Sequence, residues 1–173
     1  SYGDKAQRGA FRSIGVNRTD FLSVIQMRPG MEKDSNILEW VAFASNAFNV
    51  LVPFYATIDT TPDYFSSTTR EVTTDSFYWV SRMIGAMADA SYKSSIFHIE
   101  RYQERVMSKG HEYINQYDEL LSKESDAEKR MQLRQEANEK IADMVKKETQ
   151  DTLNKVLYEL SNQMKNAYSR SDA

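Results

Sequence analysis

Cysteine is absent from the 173 residues. That removes disulfides, thiolate zinc sites and any cysteine nucleophile supplied by these residues themselves. Histidine is nearly as scarce, with only His98 and His111. Both fall on one predicted helix without an HExxH spacing, and zinc wants three or four ligands, so they read as exposed helical histidines and neither metal nor cofactor is expected. No apolar run approaches the roughly 20 residues of a membrane-spanning helix. Residues 1–12 carry charge and glycine but no apolar stretch of the kind a secretory leader needs. The expectation is a soluble, cytoplasmic protein with no membrane partner. A net charge of −3 provides no basic footprint, so nucleic acid is not an expected partner either. Phosphate-binding loops, GxGxxG turns and GxSxG elbows are all missing.

The composition that remains is ordinary for a globular chain, 40% hydrophobic and 27% charged, and the length suits one domain or one part of a larger one. Within it the character changes. Residues 1–74 are strand-rich and residues 75–173 helical. Four stretches, 11–16, 21–28, 36–45 and 47–57, are rich in Val, Ile, Phe, Trp and Tyr and are separated by turn residues, which predicts four strands. Arg28-Pro29-Gly30 opens a loop, since proline fixes φ and glycine permits positive φ, and a hairpin around it is expected. Leu38, Trp40, Ala42 and Ala44 on one face and Ile37, Val41 and Phe43 on the other make both sides of one strand apolar, as in a covered, central strand. Pro53 cannot donate to a ladder, so its strand should be an edge, or carry a bulge or bend.

From Asp75 the apolar period lengthens to about 3.6, through Val80, Met83, Ile84, Met87 and Ala88. Asp75 is the expected N-cap. A second helix carries Ile96, Ile99, Tyr102, Val106, Tyr113, Ile114, Tyr117, Leu120 and Leu121, with Gly110 weakening it by about 1 kcal/mol. A third begins at Ser125, where Glu128 completes a capping box, and runs to about residue 168. The helical methionines and Tyr102, Tyr113, Tyr117 and Tyr158 read as packing residues. Interspersed acidic and basic residues read as solvated faces. Strands grouped first and helices afterwards predict an α+β fold.

Polar residues within the strand region carry the chemistry, because a covered sheet tolerates buried polar groups only when they are paired or used. Asn17 and Arg18 end one predicted strand and Arg28 the next. Asn46 and Asn49 interrupt the apolar run between Ala44 and Val52. An asparagine amide can donate to a developing oxyanion, and an arginine fork can grip a carboxylate. The plainer alternative is that these groups close turns and cap strand ends.

Ile14-Gly-Val-Asn-Arg-Thr-Asp-Phe-Leu-Ser-Val-Ile-Gln-Met-Arg-Pro29 and Glu39-Trp-Val-Ala-Phe-Ala-Ser-Asn-Ala-Phe-Asn-Val-Leu-Val-Pro-Phe-Tyr55 resemble the dipeptidase A family of N-terminal-nucleophile cysteine peptidases. The likeness continues through Thr61-Pro-Asp-Tyr-Phe65, Asp75-Ser-Phe-Tyr-Trp79 and Ile99-Glu-Arg-Tyr-Gln103. The resemblance implies an αββα sandwich, a dipeptide substrate, and an amino-terminal cysteine that attacks the peptide carbonyl with its own amine as base. Lacking cysteine, this chain would be the C-terminal portion, partnered by the remaining N-terminal portion and inactive alone. By the same resemblance Asn46 would donate to the oxyanion and Arg18 contact substrate or nucleophile, with Asn17 and Arg28 as further substrate contacts. Two other readings stand beside it. Ser1 could be an amino-terminal nucleophile, or the long helices could mediate association with a partner or a second copy.

Overall fold

The computed structural model describes Val16 and residues 19–165. Three antiparallel strands, β1 (Phe21–Met27), β2 (Ile37–Phe43) and β3 (Val52–Tyr55), form a sheet in the order β1-β2-β3. The turn after β1 contains Gly30 at φ 95°, a conformation that L side chains rarely adopt. It sets a register that pairs Met27 with Ile37 and Phe21 with Phe43. The expected hairpin, the central place of β2 and the edge position of the Pro53 strand all hold. The stretch 47–57 is not one strand, however. The Ser45 carbonyl accepts from the Phe48 and Asn49 amides and turns the chain, leaving only β3 extended. The strand expected at residues 11–16 lies outside the described residues except Val16, which is not in a strand.

Four helices follow: α1 (Asp63–Ser66), α2 (Phe77–Ala90), α3 (Tyr92–Lys123) and α4 (Ala127–Ser161). The chain is thus α+β, with its helices after its strands. The caps sit one residue later than the sequence suggests. Ser76, not Asp75, accepts from the Trp79 amide, while Asp75 pairs with Lys146 at 2.9 Å. Asp126, not Ser125, accepts from the Lys129 amide at 2.9 Å, a charge placed where four backbone donors lack partners. The last helix closes at Ser161 rather than near residue 168.

Alternation along the strands decides what each face meets. Leu38, Trp40, Pro53 and Tyr55 share one face, and that face packs on α3. The Trp40 ring lies 4.9 Å from that of His111, and the Tyr55 hydroxyl oxygen lies 3.2 Å from the Ile114 carbonyl oxygen. Phe43 and Phe54 point the other way, into an aromatic cluster with Phe65 of α1 and Phe77 of α2. α3 and α4 spend their stripes on each other and on the sheet through Tyr102, Val106, Ile114, Tyr117, Ala137, Ile141 and Val145. A smaller cluster of Phe48, Val80, Ile84, Ala88, Ile99, Leu153 and Val156 joins α2 to both. Tyr158 departs from the expected packing role and is exposed. Of the two histidines, His111 is exposed and His98 is half-buried, 3.4 Å from Glu159.

The two edges of the sheet are treated oppositely. At β3, Asn138 of α4 takes the place of a fourth strand. Its Oδ1 accepts from the Tyr55 amide at 2.9 Å and its Nδ2 donates to the Tyr55 carbonyl at 3.0 Å. The peptide groups that an edge strand usually shows to solvent are thereby satisfied within the chain. Among the described residues β1 has no such cover, and Phe21, Ile25 and Met27 are 54%, 58% and 76% exposed.

At Gly110, α3 lies close against β3. A Cβ added there would lie 2.9 Å from both Cδ and Cγ of Pro53, a stiff ring that cannot swing aside. The helix penalty of glycine is therefore offset by the approach it permits. Gly110→Ala would gain about 1 kcal/mol of helix propensity, yet overpacking costs typically 1–3 kcal/mol. Urea unfolding should show a net loss of up to about 2 kcal/mol; a gain would mean the helix can move away freely.

Several helical charges expected at solvated faces are instead buried. Arg130 and Arg134, on the sheet-facing side of α4, both grip Asp34, at 2.6 and 2.5 Å. Arg134 also donates to the Thr57 carbonyl and Arg130 to the Leu121 and Glu124 carbonyls. Glu148, similarly buried, is held by Arg105 and Lys109. Its burial pushes the carboxyl up, and the two cations more than reverse that. The hydrogen bond from Arg130, with the charge of both arginines, brings the Asp34 carboxyl down to about 2. A carboxyl that titrates lower when folded contributes its full stabilisation above the unfolded value near 4 and loses it as pH falls through about 2. Asp34→Asn should lower stability at pH 7 by about 2 kcal/mol. Chemical denaturation should also show less loss of stability between pH 4 and 2 than in the parent chain.

Candidate functional site

The β1–β2 hairpin ends where Asp20 enters β1 and Ala44 leaves β2, joined by the Ala44 amide donating to the Asp20 carbonyl. Beyond that point the segment Ala44–Asn49 is tightly held. Ala44 has φ 69°, a left-handed conformation that a residue with a Cβ adopts only when its surroundings impose it. Those surroundings are identifiable. The buried Asn49 side chain donates to the Ala44 carbonyl at 2.9 Å, and Gln103 of α3 donates to the Asn49 carbonyl at 2.7 Å.

This settles which of the two asparagines in that run is committed to the fold. Asn49 is spent on holding the segment. Asn46 is half-buried, and its Oδ1 has no hydrogen-bond partner among the described residues. Buried amide groups without partners are rare, because each costs the desolvation it does not recover.

Against this segment lies a cleft of about 770 Å³ lined by Asp20, Ala44, Ser45, Ala47 and Phe48 and, from α2, Arg82, Gly85, Ala86 and Asp89, with Tyr92 at its end. The helical residues recur at the three-and-four spacing of one face, opposite the buried stripe of Val80, Ile84 and Ala88. Small residues at positions 85 and 86 leave the floor open, while Arg82 and Asp89 stand at its two ends. Arg82 donates through Nη1 to Asp20 at 2.7 Å and lies over the Tyr78 ring. Sequence reasoning missed this face; its signal was a polar and small stripe on a helix judged only by its apolar one.

The four site residues read from sequence are placed unequally. Asn46 sits between cleft-lining Ser45 and Ala47. Arg18 and Asn17 lie outside the described residues, in the stretch leading directly to Asp20. Arg28 is at the far end of β1, a strand of seven residues that spans roughly 20 Å. There its guanidinium meets both carboxylate oxygens of Asp118, at 2.5 and 3.1 Å, donates to the Ser35 carbonyl, and lies over the Tyr55 ring. Burial, and then the neighbouring Asp118, push the Tyr55 hydroxyl far above its ordinary value, so it stays a neutral donor to that carboxylate. Among the described residues no group of three or more His, Cys, Asp or Glu is arranged to hold a metal, and no helix is long and apolar enough to cross a membrane.

The model of peptidase family C69 matches residues 1–105, well over half of the chain. The chain belongs to peptidase family C69. Its match to the C69 model encloses all three strands, α1, α2 and every residue lining the cleft. Similarity to individual relatives runs further. A probable dipeptidase A of Streptococcus pyogenes serotype M18 (strain MGAS8232) is 38% identical over 174 residues, 99% of this chain and 35% of that protein. A dipeptidase of Bifidobacterium longum (strain NCC 2705) is 34% identical over 207 residues, 98% of this chain and 39% of that protein. A probable dipeptidase B of Lactococcus lactis subsp. lactis (strain IL1403) is 28% identical over 166 residues, 96% and 34%. The chain therefore spans little more than a third of the length of these C69 relatives.

The Arg28 cluster tests how much of the polar inventory serves the fold. Arg28→Ala would leave Asp118 and the Ser35 carbonyl without their shared donor. Removing one partner of a buried, charge-assisted pair should cost about 2–3 kcal/mol, read as a lower midpoint in thermal or urea unfolding.

Proposed function

We propose that these residues belong to a dipeptide hydrolase of the N-terminal-nucleophile type, to which they contribute the oxyanion side of the site but not the nucleophile. The observation that carries this reading is that the C69 match encloses the whole cleft and the Asn46 segment, while relatives named dipeptidases align along nearly the full chain. In this mechanism an amino-terminal cysteine sulfur, supplied by polypeptide other than these 173 residues, attacks the peptide carbonyl. The terminal amine takes its proton and passes it to the leaving amine. Water then hydrolyses the thioester. Charge accumulates on the carbonyl oxygen in both steps, and a preorganised amide donor there acts without reorganisation.

Asn46 suits that task because its side-chain NH2, the group that would donate, is committed to no hydrogen bond among the described residues, while the segment around it is held by Asn49. Arg18 and Asn17 are assigned to substrate or nucleophile contact on the strength of the family resemblance and of their position just before Asp20. Arg28, engaged with Asp118, could reach substrate only by leaving that pair. An αββα arrangement would also account for β1, whose exposed apolar side chains suit a strand with further layers around it. The alternative of an association module loses ground because α3 and α4 spend their apolar stripes on each other and on the sheet.

The gene product carrying these residues should hydrolyse dipeptides, and the 173-residue chain alone should not. In the former, Asn46→Ala should lower kcat by about a hundredfold or more, the usual consequence of losing one oxyanion donor, with a melting temperature changed by no more than a few degrees. Unchanged turnover would remove Asn46 from the site.

A further inference from the structure

We propose that Arg82 and Asp89 of α2 read the two charged termini of a zwitterionic dipeptide lying along the cleft over Gly85 and Ala86. The inference rests on the dipeptidase reading above and adds to it the residues that select for length and for free ends.

Geometry is the first support. Arg82 and Asp89 are roughly two turns apart on one helix face, about 10.5 Å along the axis at 1.5 Å per residue. An extended dipeptide is about 7 Å long, and a hydrogen bond of about 2.9 Å at either end brings it to a span that these two side chains can bracket. Each further residue adds about 3.5 Å and carries one terminus beyond its partner. Between the two charges the floor is made of the smallest side chains on the helix, so the peptide backbone can lie close. The opposite wall is the segment after β2, where Ala44, Ser45, Ala47 and Phe48 line the cleft.

Charge is the second. Asp20 occupies Nη1 of Arg82, which restrains the guanidinium and leaves its other donors for a substrate carboxylate. Asp89 is exposed and makes no ion pair among the described residues, so its carboxylate is available to an ammonium group. Asp20, Arg82 and Asp89 together carry one net negative charge, and this favours an occupant that brings both signs over a bare anion. Phe48 and Tyr92, their rings 6.2 Å apart, provide an apolar wall for a substrate side chain.

The test uses the gene product that carries these residues and three substrates of one sequence: the free dipeptide, its N-acetyl form and its C-terminal amide. Unsubstituted protein should favour the free dipeptide over each blocked form by about ten- to a hundredfold in kcat/KM, the range that hydrogen bonds to charged groups contribute. Arg82→Ala should bring the free-to-amide ratio close to one and leave the free-to-acetyl ratio in place. Asp89→Asn, an exposed and nearly isosteric change that should not disturb folding, should do the converse. Arg82→Lys should retain part of the amide discrimination. Ratios that stay put, or that fall together whichever residue is changed, would overturn the assignment. Absence of dipeptide hydrolysis in the unsubstituted protein would instead overturn the proposed function.

Discussion

The described structure depends on how the sheet ends at β3. A four-residue strand with a proline in it cannot hold an edge by ladder bonds alone. Its outer peptide is taken by the amide of Asn138, and its Pro53 is received by the missing side chain at Gly110. These two contacts fix the height and angle at which α3 and α4 lie against the sheet. Buried polar pairing at Arg130, Arg134 and Asp34 then becomes obligatory, because helices seated that closely carry their charges inside with them.

The same seating reaches the cleft. α3 presents Gln103 to the Asn49 carbonyl, Asn49 holds the Ala44 carbonyl, and Ala44 keeps a positive φ that turns the chain after β2. A loop so restrained can present a polar group with little loss of conformational entropy on binding. α2 is fixed independently, through Phe77 against the sheet and Ile84 against the small core, and its remaining face supplies the opposite side. Strain in the loop and small residues on the helix are therefore parts of one arrangement, a rigid hollow with charges only at its ends.

Among the described residues β1 forms the other edge of the sheet. Phe21, Ile25 and Met27 stand exposed there, on the kind of edge that proteins usually guard with charge, proline or a covering helix.

Local physical chemistry was enough to read much of this from sequence. The hairpin at Pro29-Gly30, the central β2, the edge at Pro53 and the apolar stripes of the long helices all follow from φ restriction, a lost donor and side-chain periodicity, properties confined to a few neighbouring residues. Family membership was legible by a different route, from the resemblance that runs such as those ending at Pro29 and Tyr55 bear to a known family. Tertiary structure alone decided the rest. Asn46 and Asn49 are chemically identical, and only the placement of α3 and of Ala44 makes one a structural clamp and leaves the other free. Arg28, a plausible ligand by type, meets Asp118 from ninety residues away, and Arg82 and Asp89 gain meaning only when the loop after β2 closes over their helix face. Periodicity reports which side of an element is buried; it carries no information about which distant residue will be found there.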